Sequence, residues 1–286
     1  MSSNVNIDKL PHMYELAHRA NINVYSIEID GVQKYVILYE DHRTILNVLY
    51  FARMKGILSV APNIIYFDYH DDACEIFGDK LGKIKSLSIS EENFQTFWQF
   101  VEFSLGTMDD DWVWAGMYLD LIKNAVRVGG NQDDNIQRIN EVFNPTGKYL
   151  HPIYHLDEEL DYKGCFVDRF SHNPGRNNHI RSIFNANFAE EDNTEKDIPF
   201  ILDFDLDCFT GEIDNKTIAW PEMIFRRHYE DDFKVKQFLR KLVRNSAFIT
   251  ICRESGCCGG IGEANKILTY LDHYLFEDQL RTMPTS

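Results

Sequence analysis

An α/β fold with a mostly parallel sheet flanked by helices follows from how this chain alternates. Apolar runs of strand length take turns with longer amphipathic runs of helix length. Two of the strand-like runs end in clusters of acidic residues, the edge at which parallel α/β sheets gather ligands. No internal repeat, low-complexity tract or linker divides the 286 residues, so one domain spanning 1–286 is the expectation.

The elements come in order. "NVYSIEIDGVQKYVILYE" alternates apolar and polar residues around Asp30-Gly31, which predicts an N-terminal hairpin at about 22–40. "DHRTILNVLYFARMKG" has apolar residues at helical spacing and stops at Gly56. "APNIIYFDYHDD" reads as a short buried strand. "SISEENFQTFWQFVEFSL" reads as a helix with Ser90 as N-cap and an acidic first turn. "WVWAGMYLDLIKNAVRVGG" predicts a helix feeding a strand, and "DDNIQRINEVFN" a further helix. From about 144 to 197, "NPTG", "HNPGRNNH" and "AEEDNTEKD" predict an irregular insertion. The pattern then resumes with the strand "IPFILDFDLDCF", a long helix "PEMIFRRHYEDDFKVKQFLRKLVRN", the strand "AFITICRES" and a closing helix "IGEANKILTYLDHYLFEDQL".

Composition narrows the function. The formal charge of −16 disfavours nucleic acid, whose phosphates dominate such binding, and suits a cationic substrate or metal ions. Solubility alone is the plainer reading of that charge. No apolar run has the length of a membrane span, and "MSSNVNIDKLPHMYE" lacks a basic flank before an apolar core, so neither a membrane partner nor a secretory signal is expected. Six cysteines, including the adjacent Cys257-Cys258, read as reduced structural thiols of a cytoplasmic protein rather than as a disulfide framework or a thiolate zinc site.

Side chains two apart on a strand share a face. Asp68, His70 and Asp72 therefore converge if the strand continues through them, and Asp203, Asp205 and Asp207 share a side in the same way. Either cluster alone is more simply a solvated strand end leading into an acidic loop. Both together, each after an apolar strand, favour a metal site. Carboxylates with a minority of imidazole suit Mn²⁺, and this many carboxylates make two ions credible, spaced on the order of 3.5–4 Å.

"FDYHDD" resembles the Asp-x-His-x-Asp metal motif of the arginase (ureohydrolase) superfamily, and "LDFDLD" resembles its Ser-x-Asp-x-Asp motif with Asp203 in place of the serine. Asp41-His42 in "LYEDHRTI" is similar to the family's upstream Asp-His pair, and "FITICRESGCCGG" to the strand end that carries its substrate glutamate. The resemblance runs in motif order from about Glu40 to Asn265 and implies an arginase/deacetylase-like three-layer fold. It implies as metal ligands His42, Asp68, His70, Asp72, Asp205 and Asp207, with Asp203 as substitute, holding two Mn²⁺ per chain bridged by Asp72 and Asp205. It implies Glu254 as the seat of the guanidinium and Asp72 as a catalytic proton carrier; a salt bridge with Arg253 or plain exposure is the ordinary reading of Glu254.

The departures shape the substrate. Tyr39-Glu40 replaces Gly-Gly before Asp-His, and "CFTGE" replaces the Asp-Pro after the second motif. The loop "ACEIFGDKLGKIKS" is nearly devoid of the hydroxyl and amide groups that clamp a free amino acid in this family, and no histidine shuttle follows the first motif. The pattern is most similar to the divergent branch that includes peptide arginases, which turn arginine residues of ribosomally made precursor peptides into ornithine and urea. That resemblance implies a partner peptide bearing arginine. Asp110 and Trp112, in "MDDDWVWAG", are candidates for the rim of a peptide groove, against the simpler reading of acidic residues at a helix N-terminus. Three alternatives stay open: a ureohydrolase of small guanidine or formimino compounds, a phosphohydrolase built on "DFDLDCFTG", and a non-catalytic metal-containing peptide binder. A homo-oligomer also stays open.

Overall fold

The computed structural model describes residues 4–19, 22–70, 72–74, 76, 82, 84, 86–106, 111–128, 140–143, 149–156, 198–231 and 233–280. After a 3-10 helix at Ile7–His18, the strands β1 (Asn23–Ile29) and β2 (Val32–Tyr39) form the expected hairpin. Asp30 and Gly31 both take positive φ at its turn, 51° and 74°, the geometry a two-residue hairpin loop needs. Helix α1 (Thr44–Met54) leads to β3 (Asn63–Phe67), then α2 (Glu91–Ser104), α3 (Trp112–Tyr118) and β4 (Ala125–Val128). The Ser90 hydroxyl caps α2 by accepting the Asn93 N–H. β5 (Asn140–Phe143), β6 (Tyr149–Leu156) and β7 (Phe200–Asp205) follow, then a small hairpin of β8 (Thr210–Ile213) and β9 (Lys216–Ala219). Helices α4 (Glu222–Arg226) and α5 (Phe233–Asn245), strand β10 (Ile249–Cys252) and helix α6 (Ile261–Phe276) complete the described chain.

Among the described residues the main sheet has eight strands in the order β1-β2-β10-β7-β3-β4-β6-β5, parallel from β2 to β6, with the two outermost strands antiparallel. Strand alternation gives each sheet face its own core. Ile37, Tyr66 and Ile201 pack with α1, α2 and α3 on one face; Leu38, Phe67 and Leu202 pack with α4, α5 and α6 on the other. From β3 the chain moves through α2 and α3 to β4 on one side. From β7 it moves through α4 and α5 to β10 on the other. The boundary between β3 and β7 is therefore a topological switch point, where the connections part and leave a crevice beyond the strand ends.

Three expectations need correction. The end of "DDNIQRINEVFN" is the edge strand β5 rather than helix, because pairing with β6 decides the state of so short a segment; residues 133–139 lie outside the described residues. The expected irregular insertion contains β6, which pairs with β4; its remainder, 144–148 and 157–197, also lies outside them. The long helix after Pro221 is interrupted by a π turn at Arg227–Asp231. Phe225 and Tyr229 face the core, but the extra residue of that turn leaves Phe233 exposed and brings Leu239, Leu242 and Val243 inward.

The loop after β10 lies against the small hairpin. Gly259 has φ +85°, and a Cβ there would sit 2.0 Å from the Thr217 carbonyl oxygen of β9. Gly31 has a similar φ but nothing within 4 Å of the same built atom. Gly31→Ala should therefore cost only the left-handed penalty, about 1 kcal/mol. Gly259→Ala should cost at least about 2 kcal/mol more, a further fall of roughly 4–8 °C in Tm. Equal melting temperatures for the two variants would refute the close approach.

Candidate metal centre

Four adjacent strands, β2, β10, β7 and β3, bring their carboxyl ends to one crevice. His42 lies just past β2 at the entrance to α1, Asp68 directly follows β3, Asp205 closes β7, and Glu254 lies just past β10. The strands stop sooner than the motif spacing suggests. β3 ends at Phe67, so His70 and Asp72 arrive by a turn in which the His70 N–H donates to Asp68 Oδ1 at 2.7 Å and Asp72 takes φ 49°. β7 ends at Asp205, whose Oδ1 caps the following 3-10 turn by accepting the Asp207 N–H at 3.2 Å. That turn lifts Asp207 to the same crevice.

Among the described residues, four sets of ligand atoms each lie within 4.8 Å of one another. Two are built of Asp and His alone: His42, Asp68, Asp72 and Asp205 in one, Asp68, His70 and Asp207 in the other. His42, Cys252 and Glu254, and Asp207, Glu254 and Cys257, make the other two. Asp68 is the carboxylate common to the two Asp and His sets. Asp72 and Asp205, the expected bridges, both fall in the His42 set with Asp68. His42 Nδ1 stands 3.0 Å from Asp72 Oδ2, 3.1 Å from Asp205 Oδ2 and 3.5 Å from Asp68 Oδ2. Neither His42 Nδ1 nor Asp68 Oδ2 makes a hydrogen bond of acceptable geometry, although both are fully buried. His70 Nδ1 stands 3.0 Å from Asp207 Oδ2, and its side chain, like that of Tyr69, is exposed on the open side of the crevice.

The electrostatics call for a cation. Burial, followed by the neighbouring carboxylate charges, pushes the pKa of Asp68 well above its ordinary value; burial and Asp207 do the same to Asp205. Burial alone would depress His42, but the Asp203 charge and hydrogen bond, with Asp205 and Asp72, hold it well above the usual imidazole value. A hydrogen bond to Asp207 raises His70 to about 9. Among the described residues no Lys or Arg pairs with any of these carboxylates. Orphaned buried donor atoms, oxygen-rich ligands and two imidazoles fit divalent metal ions, with the His42 and His70 sets each able to hold one.

Asp203 belongs to neither set, which corrects its place as substitute ligand. One pleat period deeper in β7, it turns Oδ2 to His42 Nε2 at 2.7 Å, while Oδ1 accepts the Tyr39 hydroxyl at 3.2 Å and the Thr250 hydroxyl at 2.5 Å. Trp112 is no groove rim. It is fully buried, its indole N–H donates to Asp72 Oδ2 at 2.5 Å, and its ring lies 4.6 Å from that of His42. The Val113 N–H also donates to the Asp72 carbonyl, so the start of α3 is fastened to the Asp72 turn. Asp110 lies outside the described residues.

Glu254 takes the rare φ of 31°, and its Oε1 accepts the His42 backbone N–H at 3.3 Å. Arg253 does not pair with it: that guanidinium is bound to Glu40, whose other oxygen accepts the Ser255 hydroxyl at 3.1 Å. Burial raises the Glu254 pKa; His42 opposes this, and Asp72 and Asp207 reinforce it. Cys257 is a neighbour that motif spacing did not single out. Its thiol groups with Asp207 and Glu254, and burial and Glu254 push its pKa up to about 12.

The pH response has a definite sign. Carboxylates with raised pKa lose folded-state stability as pH rises through their folded values, and histidines with raised pKa lose theirs over the same ascent, ending near 9 for His70. The metal-free protein is therefore destabilised by this centre as pH rises from about 5 to 9. Scanning calorimetry with chelator and with Mn²⁺ should show a stabilisation by metal that grows across that range. An increment independent of pH would contradict it.

Compared with protein-family models and with curated proteins, the chain matches none.

Proposed function

We propose that the protein is a binuclear-metal hydrolase of peptidyl arginine, converting arginine residues of a precursor peptide to ornithine with release of urea. The observation that carries this reading is Glu254: a half-buried carboxylate beside both ligand sets, with no Lys or Arg paired to it among the described residues. A carboxylate so placed suits a guanidinium, which binds through paired charge-assisted hydrogen bonds.

His42, Asp72 and Asp205 would hold one ion, His70 and Asp207 the other, with Asp68 shared. Divalent ions held there, Mn²⁺ by preference, would supply Lewis-acid activation of water at neutral pH. Glu254 orients the guanidinium so that its carbon faces the crevice. Addition of water to that carbon and cleavage of its bond to the side-chain nitrogen give urea and a protonated ornithine amine, with no co-reactant. Asp72 carries the transferred proton on Oδ1, because its Oδ2 is fixed by the Trp112 indole. A peptidyl substrate is favoured over the free amino acid because the sequence of 73–86 has almost no hydroxyl or amide side chain to offer an α-carboxylate or α-amine. A small guanidine or formimino compound is the second reading, supported by the same carboxylate.

Urea release by the Mn²⁺-loaded protein should occur with an arginine peptide capped at both ends and not with free arginine, the peptide losing about 42 Da as CN₂H₂ departs. Turnover of free arginine or agmatine alone would select the second reading. Asp205→Ala should abolish metal loading and turnover together. Glu254→Gln should keep both metals and lower kcat/KM by about 10²–10³-fold, the loss expected for a charged hydrogen-bonding partner; full activity in either variant would overturn the assignment.

A further inference from the structure

We propose that Asp203, held by Tyr39 and Thr250, is a positioning residue that fixes the tautomer and angle of His42 and so tunes one of the two metal sets without the other. The proposal rests on the metal-centre reading above. Thr250 of β10 is the direct cross-strand partner of Asp203 of β7, and Tyr39 reaches the same oxygen from β2 across β10. Three parallel strands thus converge on one carboxylate that is itself fully buried. With Oδ1 taken by two hydroxyl donors, Oδ2 is left as an acceptor, and the group it meets is His42 Nε2 at 2.7 Å.

A neutral imidazole carries one N–H and one lone pair. An N–H on Nε2, directed at Asp203, puts the lone pair on Nδ1. That lone pair faces carboxylate oxygens of Asp68, Asp72 and Asp205 at 3.0–3.5 Å, an arrangement that an intervening cation reconciles. The Trp112 ring, 4.6 Å away, limits the tilt of the imidazole. His70 has a different setting: it is exposed, and its Nδ1 is directed at the ligand Asp207 itself. Among the described residues, support from a buried second carboxylate is seen at the His42 set only, which makes that set the tighter and less exchangeable of the two.

Calorimetric titration of metal-free protein with Co²⁺, followed by visible absorbance, separates the two classes of ion. Asp203→Asn keeps an acceptor but loses the charge, and Tyr39→Phe removes one supporting donor. Asp203→Asn should weaken the tighter class about 10–100-fold and shift its absorbance, leaving the weaker class within about twofold. Tyr39→Phe should act in the same direction by less, and His70→Ala should weaken the other class instead. The metal-free melting temperature of Tyr39→Phe guards against a folding defect. Unchanged affinity in Asp203→Asn, or an equal fall of both classes with a lowered metal-free melting temperature, overturns the proposal. A wild-type protein that takes up no metal removes the metal-centre reading itself, and this inference with it.

Discussion

The repulsion among Asp68, Asp72, Asp205 and Asp207 governs the architecture around it. At an effective dielectric of about 20, two unit charges roughly 4 Å apart repel by about 4 kcal/mol. A few such pairs rival the whole stability of a typical domain, about 5–15 kcal/mol. In a chain that buries four carboxylates together, any cation that binds among them changes the free energy of folding directly.

The sheet supplies the rigidity this requires. The crevice lies where connections leave β3 and β7 toward opposite faces, so it is formed by backbone topology before any side chain is chosen. The flanking strands bring one residue each to within reach, and turns finish the placement: the Asp68–Asp72 turn on one side and the 3-10 turn after Asp205 on the other. An aromatic wall of Tyr66 and Trp112 packs behind His42, with Tyr66 and Trp112 rings 5.4 Å apart, edge to face. Tyr39 and Glu40, at the approach to His42, are both engaged, one with Asp203 and the other with Arg253.

Much of this was legible beforehand because it depends on local pattern. The hairpin around Asp30-Gly31, the Ser90 cap and the buried runs of β3 and β7 follow from periodicity and turn chemistry. The motif residues are identifiable because acidic side chains stand out after apolar strands. What could not be read was set by register and by turns. Asp203 and Asp205 have the same chemistry and the same parity; only the pairing of Asp203 with Thr250 across β10 tells the inner one from the outer. Trp112 beside three acids suggests an exposed anchor, yet a distant backbone contact, Val113 to Asp72, carries it inside. The π turn at Arg227–Asp231 and the edge strand β5 are tertiary outcomes with weak local signals.

Under the proposed function, the ion pair between Glu40 and Arg253 has a consequence for Glu254. The chain places one of its own arginines next to Glu254 in sequence, where it could act as a tethered competitive inhibitor at very high effective concentration. Glu40 occupies that side chain from the end of the neighbouring strand, with Ser255 sharing the same carboxylate. In that proposal Glu254 is left to a guanidinium from elsewhere, because Glu40 engages the arginine nearest to it in sequence.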